Sequence, residues 1–152
     1  MPNLEHIVDF RAELKDPVNV GAGPIGVRQI FDVAGGSFEG PRLRGTVLPS
    51  GGDWILLGAD GVGRLDVRST IQTHDGANIY VQYFGTMHLN EKVMTALASG
   101  SGIEYGDTYF FTTPRFETGD ERYAWLNKIV TVGQGRILPG AVEYRIFQVE
   151  ND

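Results

Sequence analysis

The 152-residue chain contains no cysteine, which removes disulfides, thiolate metal sites and cysteine nucleophiles. It has only three histidines. His74 and His88 close the two ends of one candidate strand, roughly 45 Å apart at about 3.3 Å per residue, too far to share an ion. No spacing gives His6 carboxylate partners, so no metal is expected. Basic residues are in deficit, 13 Lys and Arg against 19 Asp and Glu for a net charge of −6, the wrong balance for neutralising phosphates, and nucleic acid is not an expected partner. No apolar run approaches the roughly 20 residues of a membrane span, and "MPNLEHIVDF" lacks the basic-then-apolar layout of a signal peptide. A cytoplasmic protein without a membrane partner is the expectation. Serines fall mainly in loops such as "ASGSG" (98–102), without the strand-turn-helix setting of a nucleophile elbow.

What is plentiful is glycine, 21 residues dispersed between short alternating runs, as tight turns and strand bends require. Period-2 alternation marks strands near 5–14, 25–34, 42–48, 53–59, 63–74, 77–88, 107–113, 124–133 and 141–149. Turn chemistry separates them at "AGGSFEGP" (34–41), "PSGGD" (49–53), "ADGVG" (59–63), "HDGA" (74–77) and "LPGA" (138–141). One helix is expected at 91–99, capped by Asn90, with an apolar stripe of Val93, Met94 and Leu97 and an end at Gly100. The whole chain, 1–152, therefore reads as one all-β domain, an antiparallel barrel of about 8–10 strands with one short helix, because closure removes exposed edges. A β-sandwich is the alternative. "GAGPIG" (21–26) spells the dinucleotide fingerprint, but the β-branched "VRQIFDV" that follows supplies no helix N-terminus; a bend between strands is the better reading, and no cofactor is expected.

The hairpin "GRLDVRSTIQTHDGANIYVQYFG" (63–85) admits two registers. A two-residue type I′ turn at Asp75-Gly76 sets Thr70 opposite Val81 and Arg68 opposite Tyr83, placing Asp66, Arg68, Thr70, Ile79, Val81 and Tyr83 on one mixed face suited to a ligand pocket. A three-residue loop shifts the pairing by one, sets Arg68 beside Gln82 and segregates polar from apolar. Both registers stay open. In the first, Arg68 holds a substrate carboxylate or enolate and Asp66 orients it or moves a proton. The outward face would then be so apolar that the helix or a second subunit must cover it, which makes a homodimer the expected assembly.

Three further places carry candidate chemistry. In "GGDW" (51–54), Asp53 is a proton-transfer candidate at a barrel rim, next to the large aromatic Trp54. In the aromatic stretch "YFFTTPRFETGDERYAWLN" (109–127), Trp125 and Asn127 share a strand face that would stack and hydrogen-bond a flat ligand. Glu117 falls near a strand end. A turn residue, a buried core tryptophan and solvated charges are the plain structural readings of the same positions.

These segments, with the ending "VGQGRILPGAVEYRIFQV", resemble the bacterial and fungal domain of unknown function 3237, also known as a UPF-type family. The resemblance covers nearly the whole chain. It implies a calycin-like β-barrel, similar to lipocalins and barrel-shaped cyclases such as allene oxide cyclase, and it brings no catalytic role to any residue. A barrel of eight to ten strands can enclose one small ligand. Two functions follow as expectations. The first is a lumenal site that binds, isomerises or cyclises a small anionic or aromatic organic compound, with Asp66, Arg68 and Asp53 as catalytic candidates and Tyr83, Thr70, Trp54, Trp125, Asn127 and Glu117 as binding candidates. The second is a non-catalytic binding or interaction module whose barrel is filled by its own side chains.

Overall fold

A computed structural model describes residues 1–152. Its strands are β1 (Asn3–Leu14), β2 (Val18–Gly23), β3 (Gly26–Glu39), β4 (Arg44–Leu57), β5 (Val62–Thr73), β6 (Asn78–His88), β7 (Phe110–Thr112), β8 (Arg115–Glu117), β9 (Thr131–Leu138) and β10 (Ala141–Glu150). A helix, α1 (Glu91–Ser99), follows β6, and a 3₁₀ helix (Glu121–Lys128) follows β8. The strands pair antiparallel in the order β1-β10-β9-β7-β6-β5-β4-β3, and β3 returns to β1 through pairs such as Phe10 with Phe38. The result is a closed eight-stranded antiparallel barrel. β2 and β8 are extra strands laid on β3 and β6.

Alternation builds this wall, and glycine bends it. The runs at 42–48 and 53–59 form one strand, β4, bulged between Val47 and Gly51. The bend expected at "GAGPIG" is the β2–β3 turn, where Gly26 takes a φ of +142° and a Cβ would lie 2.8 Å from the Leu57 carbonyl oxygen; only glycine suits both conditions. α1 has the expected caps, the Asn90 side chain accepting from the Val93 N–H at 3.0 Å and Gly100 at φ +68°. Its buried face differs from the expected stripe: Val93 and Ala96 are buried, while Met94 and Leu97 stay half exposed. The strand expected at 124–133 is corrected more deeply. Residues up to Lys128 form the 3₁₀ helix, because the Asp120 side chain caps its start by accepting from the Arg122 N–H, and Tyr123 and Leu126, three apart, bury together. β9 starts only at Thr131.

The 63–85 hairpin takes the three-residue register. Thr73 N–H donates to the Ala77 carbonyl, Gly76 has φ +91°, and Arg68 pairs with Gln82 and Asp66 with Phe84. Leu65, Val67 and Ile71 thereby face inward with Ile79, Val81 and Tyr83. Burying those first three apolar side chains is worth about 5–9 kcal/mol together, which the type I′ register would forfeit. The loop is also held from outside: Asp75 accepts from the Thr73 hydroxyl at 2.6 Å and from the Tyr123 hydroxyl at 2.8 Å. Leu65, Val67 and Ile71 thus leave the outer face, while Tyr80 and Phe84 stay on it, Phe84 exposed.

The barrel ends are capped differently. At the β5–β6 turn lie the 3₁₀ helix, with Tyr123 and Leu126 buried, and Leu43. At the opposite end, beyond His88, α1 inserts Val93 and Ala96. Neither helix is long and apolar enough to cross a membrane.

Candidate functional site

The interior of the barrel is apolar except for a few side chains, and Asp53 is the only acidic or basic one among them that is buried. Its position follows from two glycines. A Cβ on Gly51 would lie 2.0 Å from the Arg68 carbonyl oxygen and one on Gly52 2.9 Å from that of Phe31. The bulge at this point lets β4 close onto both neighbours and aims Asp53 inward. Strand register then lines up Phe31, Asp53, Val67 and Tyr83 in one row across β3, β4, β5 and β6.

Asp53 carries no ion pair. One of its oxygens accepts from the Asp66 backbone N–H at 3.1 Å. Burial raises its pKa from 3.8 to about 7; the Asp66 N–H opposes that rise and the Asp66 charge adds to it. Across the interior, Tyr83 from β6 meets Tyr144 from β10 edge to face, with ring centroids 5.2 Å apart. Burial pushes both phenols far above the usual tyrosine value, and the Asp53 charge adds to each. The Tyr144 hydroxyl meets only that of Tyr83, and the buried hydroxyls of Ser69 and Thr112 have no partner. A carboxyl group that titrates near neutrality, facing the same interior as two un-ionised phenols, can accept and return a proton while the phenols donate hydrogen bonds to a developing oxyanion.

The other expected residues lie elsewhere. In the observed register Asp66, Arg68 and Thr70 sit on the outer face of β5, Arg68 exposed and the other two half-buried. One Asp66 carboxylate oxygen is shielded and unpartnered there. Arg68 therefore points away from the interior that it was expected to serve. Trp54, next to inward Asp53, faces outward, and its carbonyl accepts from Arg28 at 2.7 Å. Trp125 and Asn127 belong to the 3₁₀ helix instead of a strand. The Arg42 guanidinium stacks over Trp125 at 3.6 Å, and the Asn127 amide is engaged with Thr118 backbone N–H and carbonyl. Glu117 is exposed on β8. Asp53 and Tyr83 are thus the two expected residues that the fold brings into the interior. Ser69, Thr112 and Tyr144 escaped notice. Ser69 is legible as part of the Leu65, Val67, Ser69, Ile71 alternation once the apolar side is taken as the inner one.

Level with Asp53, β3 passes from one neighbour, β1, to another, β2. β1 ends at Leu14, β10 starts at Ala141 opposite Glu13, and β2 continues along β3 with no second neighbour. The half-buried side chains of Leu57 and Leu89 converge with Ile55 over Gly63 at this end, and half-buried Phe31 lies directly opposite Asp53. Two outer clefts are separate from this region. One of about 380 Å³ is lined by His6, Asp9, Arg11, Glu39 and Glu143. The other, of about 350 Å³, lies between α1 and the loop that follows it.

Residues 2–149 match the family described as "Protein of unknown function (DUF3237)". A UPF0311 protein of Rhodopseudomonas palustris is 32% identical over 150 residues, which cover 97% of this chain and 98% of the relative. The crystal structure of a conserved protein of unknown function from the same organism superposes with a TM-score of 0.92 at 29% identity, covering 98% of each chain. A Penicillium herquei protein named as a hydroalkoxylation enzyme is 31% identical over 134 residues, 87% of this chain and 73% of that one. The crystal structure of an enzyme from Penicillium herquei shares the barrel with a TM-score of 0.73 at 26% identity, covering 98% of this chain and 95% of that one.

Proposed function

The chain belongs to the DUF3237 family, and on that premise we propose that it is an acid–base catalyst that cyclises or isomerises a small organic molecule in its barrel. The reaction class is the addition of an O–H group across a conjugated carbon–carbon double bond. The observation that carries this reading is the buried, ion-pair-free Asp53 on the same interior row as Tyr83, whose ring meets Tyr144. The name of the Penicillium herquei relative supports the reaction class.

The proposed step is an isomerisation and needs no co-reactant. The Asp53 carboxylate takes the proton of a substrate hydroxyl, and the oxygen forms a bond to the β-carbon of an enone. The π electrons move onto the carbonyl oxygen, where the Tyr83 and Tyr144 hydroxyls donate to the enolate. Asp53 then returns the proton to the α-carbon. The barrel supplies confinement, which favours the ring-closing conformer.

The test uses 2′-hydroxychalcone, whose phenol adds to its own enone to give a flavanone. Uncatalysed closure gives a racemate. The wild type should accelerate closure with an enantiomeric excess, and Asp53→Asn should lose at least about 100-fold of the rate, the scale of one general acid–base group. A racemic product, or equal rates in the two proteins, contradicts the proposal. A filled, non-catalytic barrel is the second reading, favoured by the continuous cluster of 26 buried apolar side chains that includes Phe10, Phe110 and Tyr144. In that case a polarity-sensitive dye would find no interior site in the folded protein.

A further inference from the structure

We propose that the barrel interior takes an uncharged molecule presenting hydrogen-bonding oxygens, of the phenol or enol-ketone class, and turns away carboxylates and phosphates. This rests on the lumenal reading above and gives it a substrate class, in place of the anion that Arg68 was expected to hold.

Charge is the first ground. The buried polar residues are Asp53, Ser69, Thr73, Thr112, Thr118 and Thr131, with no lysine, arginine or histidine among them. An anion inside would meet no cation. At about 6 Å from an ionised Asp53 it would lose roughly 100-fold in affinity, taking an effective dielectric constant of about 20.

Unused hydrogen-bonding capacity is the second ground. The hydroxyls of Ser69 and Thr112 face inward from β5 and β7, have no partner, and belong to residues only 3% and 2% exposed, while the Tyr144 hydroxyl from β10 meets only that of Tyr83. Buried polar groups are seldom left unpaired, and each hydroxyl both donates and accepts. Such groups suit a carbonyl or a phenol. Thr112 is held in place by glycines on either side: a Cβ on Gly85 would come within 2.8 Å of its methyl carbon, and one on Gly133 within 2.5 Å of its Oγ1. The apolar surroundings, among them Val67, Val81 and Phe110, suit a flat ring.

Calorimetric titration with 2-naphthol and 2-naphthoate tests the class, since the two share a ring system and differ in charge. At about pH 8, above the raised pKa of Asp53, 2-naphthol should bind at least about tenfold more tightly. Asp53→Asn should narrow that gap by admitting 2-naphthoate. Ser69→Ala should weaken 2-naphthol about tenfold while the melting temperature holds or rises, because the lost hydroxyl has no partner in the free protein. Thr112→Val repeats this test if Ser69→Ala does not fold. Equal or tighter binding of 2-naphthoate, or 2-naphthol affinity untouched by the hydroxyl variants, overturns the substrate class and leaves an interior site standing. Failure of both probes to bind the wild type at millimolar concentration overturns the lumenal reading itself, and the class with it.

Discussion

Replacing Asp53 by Asn should flatten the pH dependence of stability across a defined window. The carboxyl has a folded pKa of about 7 against an ordinary 3.8, so the folded state holds the proton more tightly than the unfolded one. Its contribution is fully present below 3.8 and is lost as pH rises to 7. Over about three pKa units at 1.36 kcal/mol each, the loss is about 4 kcal/mol. The surface carboxylates with lowered pKa, Asp60, Asp75, Asp107 and Asp120, act below their ordinary value of 3.8, outside this window. Asn retains an oxygen for the Asp66 N–H, but it adds buried amide donors that cost about 1–3 kcal/mol at every pH. The informative quantity is therefore the difference in slope. Urea unfolding of both proteins from about pH 4 to 8 should show the wild type losing about 4 kcal/mol relative to the variant. Parallel curves would refute the reasoning, since they would mean that Asp53 ionises as easily folded as unfolded.

Other predictions follow from packing and register. Val67→Asp, which puts a charge on the inner face, should cost more than about 3 kcal/mol, whereas Arg68→Asp on the outer face should stay within about 0.5 kcal/mol by thermal unfolding; the type I′ register predicts the reverse. Gly135→Ala should destabilise by about 1–3 kcal/mol, because its Cβ would meet the Phe110 ring at 2.7 Å. Tyr123→Phe should cost about 1 kcal/mol through the lost bond to Asp75, with chemical-shift changes at the β5–β6 turn in NMR spectra.

Much of the fold was legible in local pattern. The alternating runs, the capped helix at Glu91–Ser99 and the glycine bend at 23–26 depend on interactions a few residues apart, and these the chain displays. The hairpin register was not legible from Asp75-Gly76, because the deciding contacts are distant: the Tyr123 hydroxyl reaches Asp75 across 48 positions. The 3₁₀ helix at 121–128 was misjudged for a different, local reason, since an aromatic stretch reads as strand until a cap such as Asp120 is weighed. At the site, Asp53 and Tyr83 were identified as residue types with useful chemistry. Asp66 and Arg68 were assigned to the interior on a register that the fold does not adopt. Tyr144 could not be placed, since its partner Tyr83 lies 61 residues away in the chain and only barrel closure brings the rings together.

The central claim is that the barrel holds an acid–base group poised near neutral pH. A ¹³C NMR titration of aspartate side-chain carboxyls, with Asp53 identified by the resonance missing from Asp53→Asn, tests it directly. The account predicts a midpoint of about 7. A midpoint near the ordinary 3.8 would contradict it.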